Sequence, residues 1–259
     1  MFLNFSSFLK NNKALIMIIS MIVLFLGLTA MLIIYFIKQS KVKNRKDLIR
    51  HMTTIAIFST VSIILYLTLK FNLPIFPSFL KVNFSNLPIL LGGFLLGPIE
   101  GLMIIIIRTI VVLPFSGTFF VGEMADLIIS SSIMLASSII YIKNKTKKGA
   151  VIALIASILT WVVIGCVANY FILVPAYVTL FFGGNVEAFL PLLSIIPGVN
   201  ENNYVIRYVL FGALPFNVML SLVVCIITYF VYKRLSKLFH MFDEKIYNKK
   251  ESENEIEEN

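Results

Sequence analysis

The chain has 259 residues, 59% of them hydrophobic and only 14% charged, against about 45–50% and about 25% in an ordinary soluble domain. Several uncharged runs reach the roughly 20 residues needed to cross a bilayer, which excludes a soluble globular domain and leaves a polytopic membrane protein. The net charge of +9 does not mark a nucleic-acid binder, because 16 of the 22 Lys and Arg fall in 38–50, 143–148 and 233–250, short segments beside apolar runs that read as cytoplasmic loops.

A leading apolar run, 14–37, carries no charge over 24 residues. It is longer than a secretory h-region and has no small-residue cleavage site, so it reads as a retained helix. Six basic residues in 38–50 then place its end on the cytoplasmic side, with the N-terminus external. Helix one is expected at about 51–70. The connection 71–85 contains Pro74 and Pro77, which prevent a continuous helix, yet Phe71, Phe76, Phe79 and Phe84 require it to lie against protein or lipid. Helix two, about 86–98, is short and interrupted by Gly92, Gly93, Gly97 and Pro98.

Helices three (about 99–113) and four (about 120–142) lead to the basic loop K-N-K-T-K-K. Helix five, about 149–180, is long enough to tilt or project. A second external connection, 181–204, precedes helix six, about 205–235, which ends in the Tyr232-Lys233-Arg234 interfacial anchor. All three basic segments then fall on one side. The expected organisation is an all-α membrane bundle: residues 1–50 an extra helix and basic linker, 51–238 a six-helix unit, and 239–259 a charged, disordered cytoplasmic tail. Cys166 and Cys225 lie within apolar helices and read as packing residues; His51 and His240 read as interfacial.

Ionisable groups within membrane helices are costly and are functional candidates by default. Three stand out: Arg108 in M-I-I-I-I-R-T-I, and Glu123 and Asp126, which share a helix face. Arg108 either pairs with one of the two carboxylates to hold helices three and four together, or leaves a carboxylate facing an external cavity. Asn169 and Asn217 are buried amides, each serving as interhelical glue or as a ligand contact; Tyr170 and Tyr177 add hydroxyls. No phosphate-binding loop, H-E-x-x-H or G-x-S-x-G motif occurs, so no enzyme is expected, and uphill movement would draw on an ion gradient or partner subunits.

The stretch F-P-S-F-L-K-V-N-F-S-N-L-P-I-L-L-G-G-F-L-L-G-P-I-E-G at 76–101 is followed in order by V-G-E-M-A-D-L at 121–127, A-N-Y-F-I-L-V-P-A-Y at 168–177 and P-F-N-V-M-L at 215–220. Together they resemble the integral-membrane substrate-binding (S) component of energy-coupling factor vitamin transporters, most of all the riboflavin-specific members, over about residues 51–238. The resemblance implies a riboflavin-capturing subunit in the cell membrane, partnered by a membrane coupling subunit and two cytoplasmic ATPases. It implies no resident cofactor or metal, the flavin being cargo. It places substrate contacts on Phe79, Lys81, Asn83, Phe84, Glu123, Asp126, Asn169, Tyr177 and Asn217, and a coupling-subunit contact on the small residues Ala56 and Thr60. Asn83 and Asn86 stand where the family favours Asp, Asp126 where it often has Asn, and Leu220 where a lysine is common. Leu220 keeps open a different vitamin or precursor as ligand. A non-transporting scaffold, whose polar groups only join helices, is the reading from a different class.

Overall fold

The computed structural model describes the backbone over residues 45–257 and side chains over 49–235. The leading run 14–37 and the side chain of His240 lie outside the described residues. Helix α1 (Arg45–Thr68) leads into the 71–85 connection, whose ends are pinned by a two-residue antiparallel ladder, β1 (Phe71–Asn72) with β2 (Lys81–Val82). Then follow α2 (Asn86–Leu95), α3 (Pro98–Val112), α4 (Val121–Lys143) and α5 (Lys147–Ala168). A π-helical turn, Asn169–Leu173, joins α5 to α6 (Val174–Phe182). The connection α7 (Val186–Phe189) reaches α8 (Tyr204–Tyr208), and a second π turn, Val209–Ala213, continues it into α9 (Leu214–Glu257).

Five of these rods are long and apolar enough to span a membrane: Ile49–Thr68, Pro98–Phe115, Val121–Lys143, Lys147–Phe182 and Tyr204–Leu235. With the short α2 they make the expected six-segment bundle. Pro98 begins α3 rather than ending α2, as suits a proline whose missing N–H falls among the unpaired donors of a first turn. The backbone of α9 stays helical to Glu257, where disorder was expected from residue 239; that stretch has no Gly or Pro and is rich in Glu and Lys, both good helix formers.

The two π turns have a common origin. Pro175 and Pro215 each lie just beyond one, and a proline within a helix lacks a donor and clashes with the carbonyl four residues back. That carbonyl belongs to Phe171 in the first turn and Phe211 in the second. Widening the turn relieves the clash, and it does so next to Asn169 and just before Asn217.

The short α2 is the axis of the bundle. It packs against α1, α3, α4 and α9, while α1–α3, α3–α4, α4–α5 and α5–α9 pack in succession around it. Eight of its ten residues are buried. Glycine permits this density: a Cβ on Gly101 of α3 would meet the Met134 sulfur at 2.5 Å and the Gly93 Cα at 3.2 Å.

The Tyr141 and Tyr232 hydroxyls bond to one another, so the basic 143–148 loop and Lys233–Arg234 share one end of the bundle. His51 Nδ1 meets Glu100 Oε1 at 3.2 Å, which brings the start of α1 to the start of α3 there as well. Replacing Gly101 with Val should cost about 1–3 kcal/mol by overpacking, seen as a lower thermal unfolding midpoint in detergent. Val163→Ala on the outward face of α5, 59% exposed, should leave that midpoint unchanged.

Candidate functional site

A cavity of about 720 Å³ opens at the opposite end from the basic loops, within the range of about 300–1,000 Å³ of sites for drug-sized ligands. Tyr66, Leu67 and Lys70 at the end of α1, Ser78 to Lys81 and Asn83 of the connection, and Phe115, Gly117 and Thr118 surround one part of it. Trp161, Asn169, Tyr177, Phe189, Phe216, Asn217 and Leu220 form another. Eight of the nine expected contacts line it: Phe79, Lys81, Asn83, Glu123, Asp126, Asn169, Tyr177 and Asn217. Phe84 does not. Side chains of an extended segment alternate in direction; Lys81 and Asn83 face the cavity, whereas Phe84 packs with Val82 against the core.

The aromatic part is built around Phe79. Its ring lies 5.4 Å from Tyr177, 5.9 Å from Phe189 and 5.3 Å from Tyr208, all tilted or edge-on, as aromatic quadrupoles prefer. Phe76 anchors the same connection edge-on to Phe216, 5.3 Å away. The loop with two prolines is thus held down by its phenylalanines.

Both amides beside the π turns fold back on their own helices. Asn169 Nδ2 donates to the Gly165 carbonyl at 2.8 Å, and Asn217 Nδ2 to that of Ala213 at 2.8 Å. Asn169 Oδ1 accepts from the Tyr208 hydroxyl at 2.5 Å, which ties α8 to the first π turn. Asn217 Oδ1 receives no donor among the described residues. Gly165 makes room for it, since a Cβ there would lie 2.7 Å from that oxygen. Asn169 is therefore both a joint between helices and part of the wall, and Asn217 chiefly wall.

The charged part answers the question of the buried arginine. Arg108 pairs with Asp126, Nη2 to Oδ2 at 2.6 Å, rather than with Glu123. Glu123 is engaged elsewhere. Its Oε2 accepts from Ser116 Oγ at 2.6 Å and Thr118 Oγ1 at 2.8 Å, and its Oε1 from the Tyr66 hydroxyl at 3.3 Å. This carboxylate clamps the α3–α4 connection, in which Phe119 and Phe120 adopt φ of 49° and 67°, a region that bulky residues enter only when held there.

Lys70 Nζ lies 4.4 Å from the centre of the Tyr66 ring and donates to its hydroxyl at 3.3 Å. Burial pulls the Lys70 pKa down, while Glu123 and Asp126 oppose the shift.

Tyr66, Lys70, Trp161 and Tyr208 were not singled out by sequence. The signals were faint: an i, i+4 Tyr–Lys pair at the non-basic end of the bundle, and the chain's only Trp. Among the described residues no three His, Cys, Asp or Glu side chains gather as metal ligands would.

Replacing Glu123 with Ala removes three hydrogen bonds to a charged acceptor, each about 1.5–3 kcal/mol. Amide hydrogen exchange over 116–122 should quicken in that variant, with a lower thermal midpoint.

A family model for the ECF transporter substrate-specific component matches residues 50–232. The riboflavin transporter RibU of Staphylococcus aureus (strain TCH60) is 26% identical over 187 residues, 72% of this chain and 90% of that protein. The riboflavin transporter FmnP of Bacillus subtilis (strain 168) is 23% identical over 190 residues, 72% of this chain and 92% of its own length. A solved S component of a bacterial ECF transporter superposes with a TM-score of 0.57 at 24% identity, covering 73% of this chain and 97% of that one, and shares the fold.

Proposed function

Because the chain belongs to the substrate-specific components of ECF transporters, we propose that its cavity captures riboflavin from outside the cell. The observation that carries this reading is the composition of the cavity wall. A flavin is a flat ring system with an edge of alternating donors and acceptors and a neutral hydroxylated chain. Phe79, Tyr177, Phe189 and Trp161 offer the flat part apolar and aromatic surface, and Asn169 and Asn217 offer fixed amides beside it. Two relatives of known cargo carry riboflavin. Leu220 lines the wall where the family often has lysine, so no cation assists the amides there. A scaffold that only joins helices would have no use for about 720 Å³ of space with polar side chains set into a mostly apolar wall.

The basic loops support one orientation. Under the positive-inside rule their end faces the cytoplasm, the cavity faces out, and the C-terminus lies inside. Energy would come from a membrane coupling subunit and two cytoplasmic ATPases. Ala56 and Thr60 lie exposed on the outer face of α1, where a coupling helix could approach closely over small side chains.

Purified protein with riboflavin should quench flavin fluorescence on binding, and a preparation that binds none would overturn the reading. Asn169→Ala together with Asn217→Ala should weaken binding by about ten- to a hundredfold, at roughly 1 kcal/mol per hydrogen bond. Ala56→Phe with Thr60→Phe should leave binding intact and abolish uptake by cells that carry the complete transporter.

A further inference from the structure

Arg108 is 1% exposed and does not line the cavity, yet three of the cavity's polar side chains are attached to it. Its Nη2 pairs with Asp126 Oδ2 at 2.6 Å. Its Nη1 donates to Ser85 Oγ at 2.9 Å, and that hydroxyl donates to Asn83 Oδ1 at 2.7 Å. Nη2 also donates to Ser130 Oγ at 3.3 Å, which donates to Asn86 Oδ1 at 2.6 Å.

Two obligatory donors set the direction of these bonds: the guanidinium, which has only donors to give, and the Ser85 backbone N–H, which also donates to Asn83 Oδ1 at 3.2 Å. Each serine oxygen accepts from the guanidinium, and each serine proton points onward to an asparagine carbonyl oxygen, Asn83 Oδ1 from Ser85 and Asn86 Oδ1 from Ser130. No described residue accepts from the amide nitrogens of Asn83 and Asn86, and none donates to Asp126 Oδ1; all three residues line the cavity.

We infer that Arg108 is a positioning residue that, through Ser85 and Ser130, supports the hydrogen-bond polarity of this wall, so that the wall presents the Asn83 amide donor and the Asp126 carboxylate acceptor to the substrate, with Asn86, 1% exposed, held behind them. The matching ligand edge supplies an acceptor opposite Asn83 and a donor opposite Asp126, as hydroxyl groups or a ring imide can. The ligand half of this statement rests on the riboflavin reading; the orientation of the amides does not.

The orientation is tested without ligand. In protein labelled with 15N-asparagine, the side-chain amide signals of Asn83 and Asn86 are assigned from Asn83→Ala and Asn86→Ala. Ser85→Ala should move the Asn83 signal alone, Ser130→Ala the Asn86 signal alone, and Arg108→Met both. Signals that stay in place in the two serine variants would overturn the relay, and those variants serve even if Arg108→Met does not fold.

The effect on recognition is tested by riboflavin titration in two backgrounds. Arg108→Met should weaken binding about tenfold or more in the natural chain, the scale of a lost charge-assisted contact. Added to the triple variant Asn83→Ala, Asn86→Ala, Asp126→Ala, it should change the dissociation constant less than twofold, because distant or independent effects would multiply instead. The same tenfold loss in both backgrounds would overturn the positioning role. A natural chain that binds no riboflavin but shows the amide shifts would instead remove the choice of ligand and leave the polarity assignment standing.

Discussion

A guanidinium cannot shed its charge, and burying one in an apolar bundle calls for a counter-charge and acceptors. That constraint organises one side of this protein. Arg108 finds such partners for Nη1 and Nη2, although its Nε is buried with no partner among the described residues. Arg108 of α3 draws Asp126 and Ser130 from α4 and Ser85 from the start of α2. Ser85 in turn accepts through its carbonyl from Ser62 of α1 at 2.8 Å. Four segments distant in sequence thereby meet at one group, and the connection 71–85 is joined to the helices it covers. The Tyr66 ring, 5.6 Å from the guanidinium carbon, adds a π face to the same environment.

Glu123 imposes a parallel order on the neighbouring connection. With Ser116, Thr118 and Tyr66 all donating to it, the turn before α4 is held in a conformation that its two phenylalanines would not adopt unaided. Two like charges three residues apart are thus separated in role: Asp126 is neutralised by an arginine, and Glu123 is solvated by hydroxyls. Neither leaves a bare charge in the hydrocarbon layer.

The fold was legible because hydrocarbon punishes exceptions. Uncharged runs marked the spans, basic clusters marked one end, and Arg108, Asp126, Asn169 and Asn217 stood out against an apolar background. Which carboxylate took the arginine was not legible, since residues three apart on a helix are both within reach and only the placement of α3 against α4 decides. Serine relays were invisible for a different reason: Ser85 and Ser130 are ordinary in membrane helices, and their direction of donation exists only once a partner is fixed. Phe84 was misplaced because a loop with two prolines was read by composition, whereas its last residues are extended and alternate. The π turns could have been found, since Pro175 and Pro215 each fall inside a long apolar run close to a buried amide.

The short α2 changes what a solute would have left to cross. Ten residues rise about 15 Å along a helix, roughly half of a hydrocarbon layer about 30 Å thick. Above α2 the bundle is hollow, and at its level it is sealed by Ile89, Leu90, Leu91 and Phe94, all nearly inaccessible. With the cavity facing out as proposed, a solute held in it would have only the level of α2 left to cross, a plug of buried side chains about 15 Å deep. That is a shorter step than opening a pore along the whole axis of the bundle.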